Sequence, residues 1–204
     1  MSDKHVIDPA AVAAADAYKL LIGLVVPRPI GWIGTQDGAG VANLAPFSFF
    51  NAVAATPPTV VFSPLMDRGA PKDTLRNVEA TGEFTVNMVS HDLAEAMNLT
   101  SGRYGPEVDE FALAGLTAVT GTKVAAPMVG EAKANLECRV TQLIAVGRPP
   151  MNATLVIGEV VAFHVRPELL DGTRVDQAAL DLIGRMGGPN YTRTGDTFSM
   201  ERPG

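Results

Sequence analysis

Two apolar blocks, Pro27-Arg28-Pro29-Ile30-Gly31-Trp32-Ile33-Gly34-Thr35 and Val41-Ala42-Asn43-Leu44-Ala45-Pro46-Phe47-Ser48-Phe49-Phe50, flank the polar turn Gln36-Asp37-Gly38-Ala39-Gly40. Asp and Gly tolerate the positive φ of tight turns between twisted strands, so this pattern predicts a hairpin of two adjacent strands. Asn43, Pro46 and Ser48 interrupt the second block. Pro46 cannot donate to a sheet ladder, which places it at an edge or a bulge where neighbouring amides face something other than protein. A flat heteroaromatic ligand suits such a wall.

The remaining pattern is mostly strand-like. Asp8-Pro9 before an Ala-rich run to Leu21 predicts a capped helix that Gly23 ends. Ala55-Thr56-Pro57-Pro58 is a break before the short strand Thr59–Ser63. After a loop over 64–71, Lys72 to Glu79 reads as a helix stopped by Gly82. Glu83–Val89 alternates as a strand, and Ser90-His91-Asp92 opens a short helix through Met97. Asn98–Asp109 is a broken polar loop, where sites on rigid scaffolds tend to be assembled. Leu136–Ile144 and Thr154–Val165 predict two long strands, the second with a bulge or bend at Gly158. The chain from Asp171 is turn-rich and reads as a peripheral tail over 171–204. Strands outnumber helices without regular alternation, which predicts a mainly β, closed antiparallel barrel with a few peripheral helices.

Composition narrows the possibilities. With 204 residues, 47% of them hydrophobic, the chain fits one well-filled domain, 1–204. Sixteen basic against 22 acidic residues give a net charge of −6, with no basic cluster to suit nucleic acid or an anionic membrane. The one cysteine, Cys138, excludes an intrachain disulfide and reads as a small core side chain. The N-terminus lacks a signal-peptide core, and the longest apolar run, Leu20–Val26, is far short of a bilayer span. A cytoplasmic location is expected.

Residue chemistry offers one anion site. If Asp73 or Thr74 opens the helix, its free amides and positive dipole end face outward beside the charge of Lys72. Arg68, Thr74 and Asn77 are secondary candidates; the plainer reading leaves Asp73 a cap and Lys72 a solvated side chain. Along the second strand, Asn43, Leu44, Ala45, Pro46 and Ser48 offer the mixed donors and acceptors a planar ring edge needs, with Thr35 and Ser63 able to complete the wall. Ordinary strand-end hydrogen bonding remains an alternative for Asn43 and Ser48, and Trp32, Phe47, Phe49 and Phe50 read as core. Gly34–Gly40 fits neither a dinucleotide fingerprint nor a P-loop. The three histidines, His5, His91 and His164, have no metal-ligand spacing, and no Gly-x-Ser-x-Gly elbow is present.

Several motifs in order, Arg28-Pro29-Ile30-Gly31-Trp32, Asn43–Ser48, Lys72-Asp73-Thr74-Leu75-Arg76-Asn77, Glu83–Asn87 and Glu137-Cys138-Arg139-Val140, resemble the flavin reductase-like family of FMN-binding split barrels. The resemblance implies FMN as cofactor, with Asn43–Ser48 along the ring and Lys72–Asn77 at the phosphate. It implies hydride transfer from NADH or NADPH, electrons passing to a separate monooxygenase or a small organic acceptor, and a homodimer with flavin near the subunit interface. No protein nucleophile is expected, because the cofactor carries the hard chemistry. A flavoredoxin-like electron carrier without a nicotinamide site, or an FMN-dependent reductase of a small molecule, are the alternatives. The tail Gly188–Arg193 is similar to one seen in family members, which makes Tyr191 and Arg193 substrate-pocket candidates, with Arg103 and Tyr104 as rivals.

Overall fold

The predicted hairpin forms on its turn chemistry. In the computed structural model, which describes residues 3–66 and 69–204, Asp37 Oδ1 accepts from the amides of Ala39 and Val41 at 2.8 Å, and Gly40 adopts φ 86°. The turn joins β1 (Gly31–Gln36) to β2 (Ala42–Phe47) in antiparallel register, Gly31 opposite Phe47 and Gln36 opposite Ala42. The second block is not one strand to Phe50. It breaks at Ser48-Phe49 and restarts as β3 (Phe50–Ala55), which folds back on β4 (Pro58–Phe62).

With β5 (Glu83–Met88), β6 (Ala134–Val146) and β7 (Ala153–Val165), these form a seven-stranded sheet ordered β2-β1-β5-β6-β7-β4-β3. The order forces closure. A flat sheet would hold its edge strands roughly 29 Å apart at about 4.8 Å per strand. Phe47 ends one edge and Phe50 begins the other, and that stretch of chain spans at most about 11 Å. The sheet therefore curls into a barrel split between β2 and β3. Its ladder shifts register at Ile157/Gly158 and Val160/Ala162, and a Cβ at Gly158 would come within 2.5 Å of the Phe84 ring. The glycine that the pattern marks as a bend is thus one that the core requires.

Alternation puts apolar side chains on both faces of β1. Ile33 points into the barrel with Phe47, Phe62, Phe84, Val86, Cys138 and Val156. Trp32 points outward into a second cluster with Ile30, Leu44, Val89, Met97 and Phe111, its Nε1 donating to Thr100 Oγ1 at 2.9 Å. Helix α2 (Asp73–Thr81) closes one side of the barrel, burying Leu75 and Val78, and ends where Gly82 turns left-handed at φ 68°.

Two further expectations need correction. The first helix, α1, spans Ala14–Leu24 instead of starting at Asp8 and ending at Gly23. Asp8-Pro9 makes a turn instead: Ala11 N donates to Asp8 O, and Asp8 Oδ1 accepts from Ala10 N at 2.8 Å. The segment from Asp171 is also less peripheral than its turn-rich composition suggests. Leu180 and Ile183 are buried, and Ile183–Arg185 pairs with both Arg28–Pro29 and Tyr191–Arg193. Buried Arg28 secures that junction by donating to the carbonyls of Ile22, Val25 and Met186.

Candidate functional site

The start of α2 is open to a ligand. Lys72 O accepts from Leu75 N and Arg76 N, which leaves the amides of Asp73 and Thr74 outside the helical ladder, as the first turn of any helix does. Lys72 is the N-cap residue, without a side-chain cap, and its ammonium lies 5.6 Å from the centroid of the Phe47 ring. Asp73 does not cap; its carboxylate turns to the guanidinium of Arg76.

Pro46 sits on the free edge of the sheet. Leu44 N donates to Glu110 Oε2 at 3.1 Å, so its amide points away from β1. Alternation in an antiparallel ladder gives Pro46, two residues on, the same outward orientation. The missing N–H therefore costs no ladder bond.

Strand edge and helix mouth share one cleft. Its first lobe, about 230 Å³, is lined by Ala45 and Pro46 from β2, by Lys72, Asp73 and Thr74 from α2, and by Arg103 and Tyr104 from the long loop, among others. A neighbouring lobe of about 250 Å³ is lined by Asp37, Val41, Ala42 and Asn77 among others, and both lobes border Asn43, Asp73, Arg76, Pro106 and Glu110. Each lobe is smaller than the roughly 300–1,000 Å³ usual for a ligand cleft, and the two together fall within that range.

Behind this wall, several of the predicted residues bond to each other. Asn77 Nδ2 donates to Thr35 Oγ1 at 3.1 Å, Thr35 Oγ1 to Asn43 Oδ1 at 3.2 Å, and Thr74 Oγ1 to Asn43 Oδ1 at 3.0 Å. Asn43 Nδ2 in turn donates to Glu110 Oε2 at 3.0 Å. These side chains are buried, so they tie β1, β2 and α2 together from beneath the cleft. Ser48 Oγ accepts from Arg28 Nε at 3.3 Å, and Ser63 N donates to Phe49 O at 2.9 Å, so both brace the crossing from β2 to β3. Tyr104 donates to Leu99 O at 2.9 Å. Tyr191 and Arg193 line neither lobe: Arg185 packs over the Tyr191 ring, and Arg193 pairs with Asp181 at 2.7 Å. Arg68 lies outside the described residues.

Two carboxylates, Glu110 on the cleft and Glu137 away from it, have partners that the sequence reading does not foresee. Glu110 opens the short helix α3 (Glu110–Leu113), whose N-cap Asp109 accepts from Phe111 N and Ala112 N. An Asp followed by Glu-Phe-Ala-Leu was the available signal. Glu137, on β6, is fully buried and accepts from the amides of Thr122, Lys123 and Val124, from the Thr122 hydroxyl and from His164 Nε2 at 2.6 Å. Burial pushes its carboxyl upward, and these donors, led by the Thr122 amide and His164, pull it further down, to about 2. Nothing local in the sequence joins residues 122–124 to 137 and 164. Neighbouring Cys138 is buried, and burial, helped by the Glu137 charge, pushes its thiol up. No helix among the described residues is long and apolar enough to cross a membrane.

Comparison with known proteins adds three findings. A family model described as flavin reductase like domain matches residues 23–179. An uncharacterised protein of Deinococcus radiodurans is 43% identical, over 99% of this chain and 91% of its own length. Among solved structures, nitrilotriacetate monooxygenase component B from Bacillus cereus superposes with a TM-score of 0.94 at 35% identity, covering 98% of this chain and all of that one. The 2-nitrobenzoate 2-nitroreductase NbaA of Pseudomonas fluorescens does so with a TM-score of 0.88 at 31% identity, covering 98% and 96%.

Proposed function

Because the chain belongs to the flavin reductase-like family, we propose that it is an FMN-dependent oxidoreductase of the NAD(P)H:flavin reductase type. Its electrons would pass to a monooxygenase partner or a small organic acceptor. The observation that carries this reading is the single cleft shared by the free edge of β2 at Ala45 and Pro46 and the mouth of α2 at Lys72. A flavin mononucleotide has a planar ring with a polar edge at one end and a phosphate at the other, and the two walls match those ends.

The residues fit the cofactor on chemical grounds. The amides of Asp73 and Thr74, the dipole of α2 and the ammonium of Lys72 all favour a dianion. On the edge strand, Pro46 lines the cleft and turns its carbonyl outward, an acceptor for a donor on a ring edge. When bound, FMN supplies the hydride-accepting ring. The chain's own part is to grip and orient. The Thr35–Asn43–Thr74–Asn77 network holds strand and helix at a fixed separation, so the two ends of the ligand are located before it arrives.

Further proposals follow from the same surface. Every residue of α1 keeps solvent exposure, with Leu21 at 52% and Leu24 at 78%, and Asn51–Ala55 of β3 is exposed throughout. Apolar surface of that kind fits a homodimer contact. A reducing, cytoplasmic setting fits a chain with one cysteine, and that one buried. The component B likeness favours a monooxygenase as electron acceptor. A second reading, direct reduction of a small aromatic substrate, is favoured by the nitroreductase likeness and by the cationic Arg103 on the cleft wall.

The absorption spectrum of the purified protein, followed by anaerobic mixing with NADH and with NADPH, tests the proposal. A retained or readily restored flavin band that either nicotinamide bleaches supports it. A protein that binds no FMN and oxidises neither nicotinamide when FMN is added overturns it. Product analysis with nitroaromatic acids separates the second reading from the first.

A further inference from the structure

The cleft contains a carboxylate of which one oxygen serves the ring-wall strand and the other serves neither that wall nor the phosphate site. Glu110 is only 6% exposed, yet it borders both lobes. Its Oε2 is saturated by Asn43 Nδ2 and Leu44 N. Its Oε1 has no hydrogen-bond partner among the described residues, and no described buried side-chain oxygen lacks both a partner and solvent contact. Oε1 must therefore open onto the cleft. A buried carboxylate with one oxygen left for a ligand is costly unless a donor meets it.

The position of Glu110 selects which donor. Through Asn43 it is two hydrogen bonds removed from Thr74 in the first turn of α2, and through Leu44 it holds the strand two residues before Pro46. It thus stands between the anion end of the cleft and the ring wall. A phosphate is repelled there, and a hydroxyl is attracted. We propose that Glu110 binds the hydroxyl-bearing chain that joins ring to phosphate, the ribityl group of the flavin, and so discriminates for flavins that carry it. This rests on the flavin reading above and assigns one further specificity residue to the same site.

The test compares FMN, riboflavin and lumiflavin, which share the ring; lumiflavin lacks the hydroxyl chain. Dissociation constants come from quenching of flavin fluorescence, for the full-length protein and for Glu110→Gln and Glu110→Ala, each with its melting temperature. Glu110→Gln keeps a carbonyl for Asn43 and Leu44 and removes only the outward acceptor and its charge. It is expected to weaken FMN and riboflavin by about five- to tenfold, the difference between a charged and a neutral hydrogen bond. Its effect on lumiflavin is expected to stay within about twofold, with melting unchanged. Glu110→Ala is expected to add a fall in melting temperature, because it strips the network of its anchor. Equal weakening of lumiflavin, unchanged affinity for all three, or losses that merely track melting temperature would overturn the assignment. If the unaltered protein binds none of the three, the flavin reading itself fails. If it binds all three and Glu110→Gln does not discriminate, only this inference fails.

Discussion

Replacing Glu137 by Gln perturbs the most densely bonded carboxylate among the described residues. Its oxygens accept from three amides, one hydroxyl and one imidazole, and the side chain has no exposure. Glutamine keeps one acceptor oxygen, which can serve the Thr122 and His164 side. Its amide nitrogen then faces the N–H groups of Lys123 and Val124, leaving the buried Val124 donor unmet at about 1–3 kcal/mol and the part-buried Lys123 donor unmet at a smaller cost. The expected loss is about 4 kcal/mol at pH 7, or a fall of roughly 10 °C in melting temperature for a chain of this size.

The pH dependence gives a second handle. A carboxyl lowered from its ordinary 4.5 to about 2 contributes stability that is complete above pH 4.5 and is lost as pH falls through 2, about 3 kcal/mol in all. By pH 3 about 2 kcal/mol of it is gone. The gap between wild type and variant should therefore narrow by that amount between pH 6 and 3. Urea unfolding followed by the emission of Trp32, the chain's one tryptophan, measures both quantities. A loss below about 1 kcal/mol at pH 7, or stability curves that stay parallel down to pH 3, would refute the reasoning.

Three other outcomes are expected. On the proposed FMN reading, Lys72→Ala should weaken FMN about tenfold and riboflavin hardly at all, since of the two only FMN carries a phosphate for the ammonium and the α2 amides to meet; fluorescence titration decides it. Gly34→Ala should cost about 2–4 kcal/mol by chemical unfolding, because its new Cβ would collide with the backbone carbonyl of buried Pro127 and lie 2.5 Å from Thr85 Oγ1 on β5. On the proposed homodimer contact through α1, Leu24→Glu should leave a monomer in light scattering with the melting temperature of the single copy nearly unchanged, because the side chain is exposed within one copy.

Much of the architecture is written in local signals. Asp37-Gly38 places the hairpin, Gly82 terminates α2, alternation marks β5, and Gly158 marks the bend of β7; each acts over a few residues, at the range where turn chemistry and side-chain period operate. The edge position of Pro46 is legible for the same reason, since a residue without an N–H restricts its own neighbourhood whatever the fold. Local signals also mislead where they are ambiguous: Asp8-Pro9 serves a turn as readily as a helix start, and the turn-rich tail hides Ile183 because three residues are too short a strand to show a period.

The tertiary structure alone decided what those elements meet. That α2 and β2 line one cleft follows from the sheet order and from the short crossing at Ser48-Phe49, which curls the barrel. It also turned Thr35, Asn43 and Asn77 inward to one another, and brought Glu110 onto Asn43 from 67 residues away and His164 onto Glu137 from 27. Pairings over such separations depend on chain closure and on the burial of groups that must then find partners. Neither property belongs to any single stretch of the sequence.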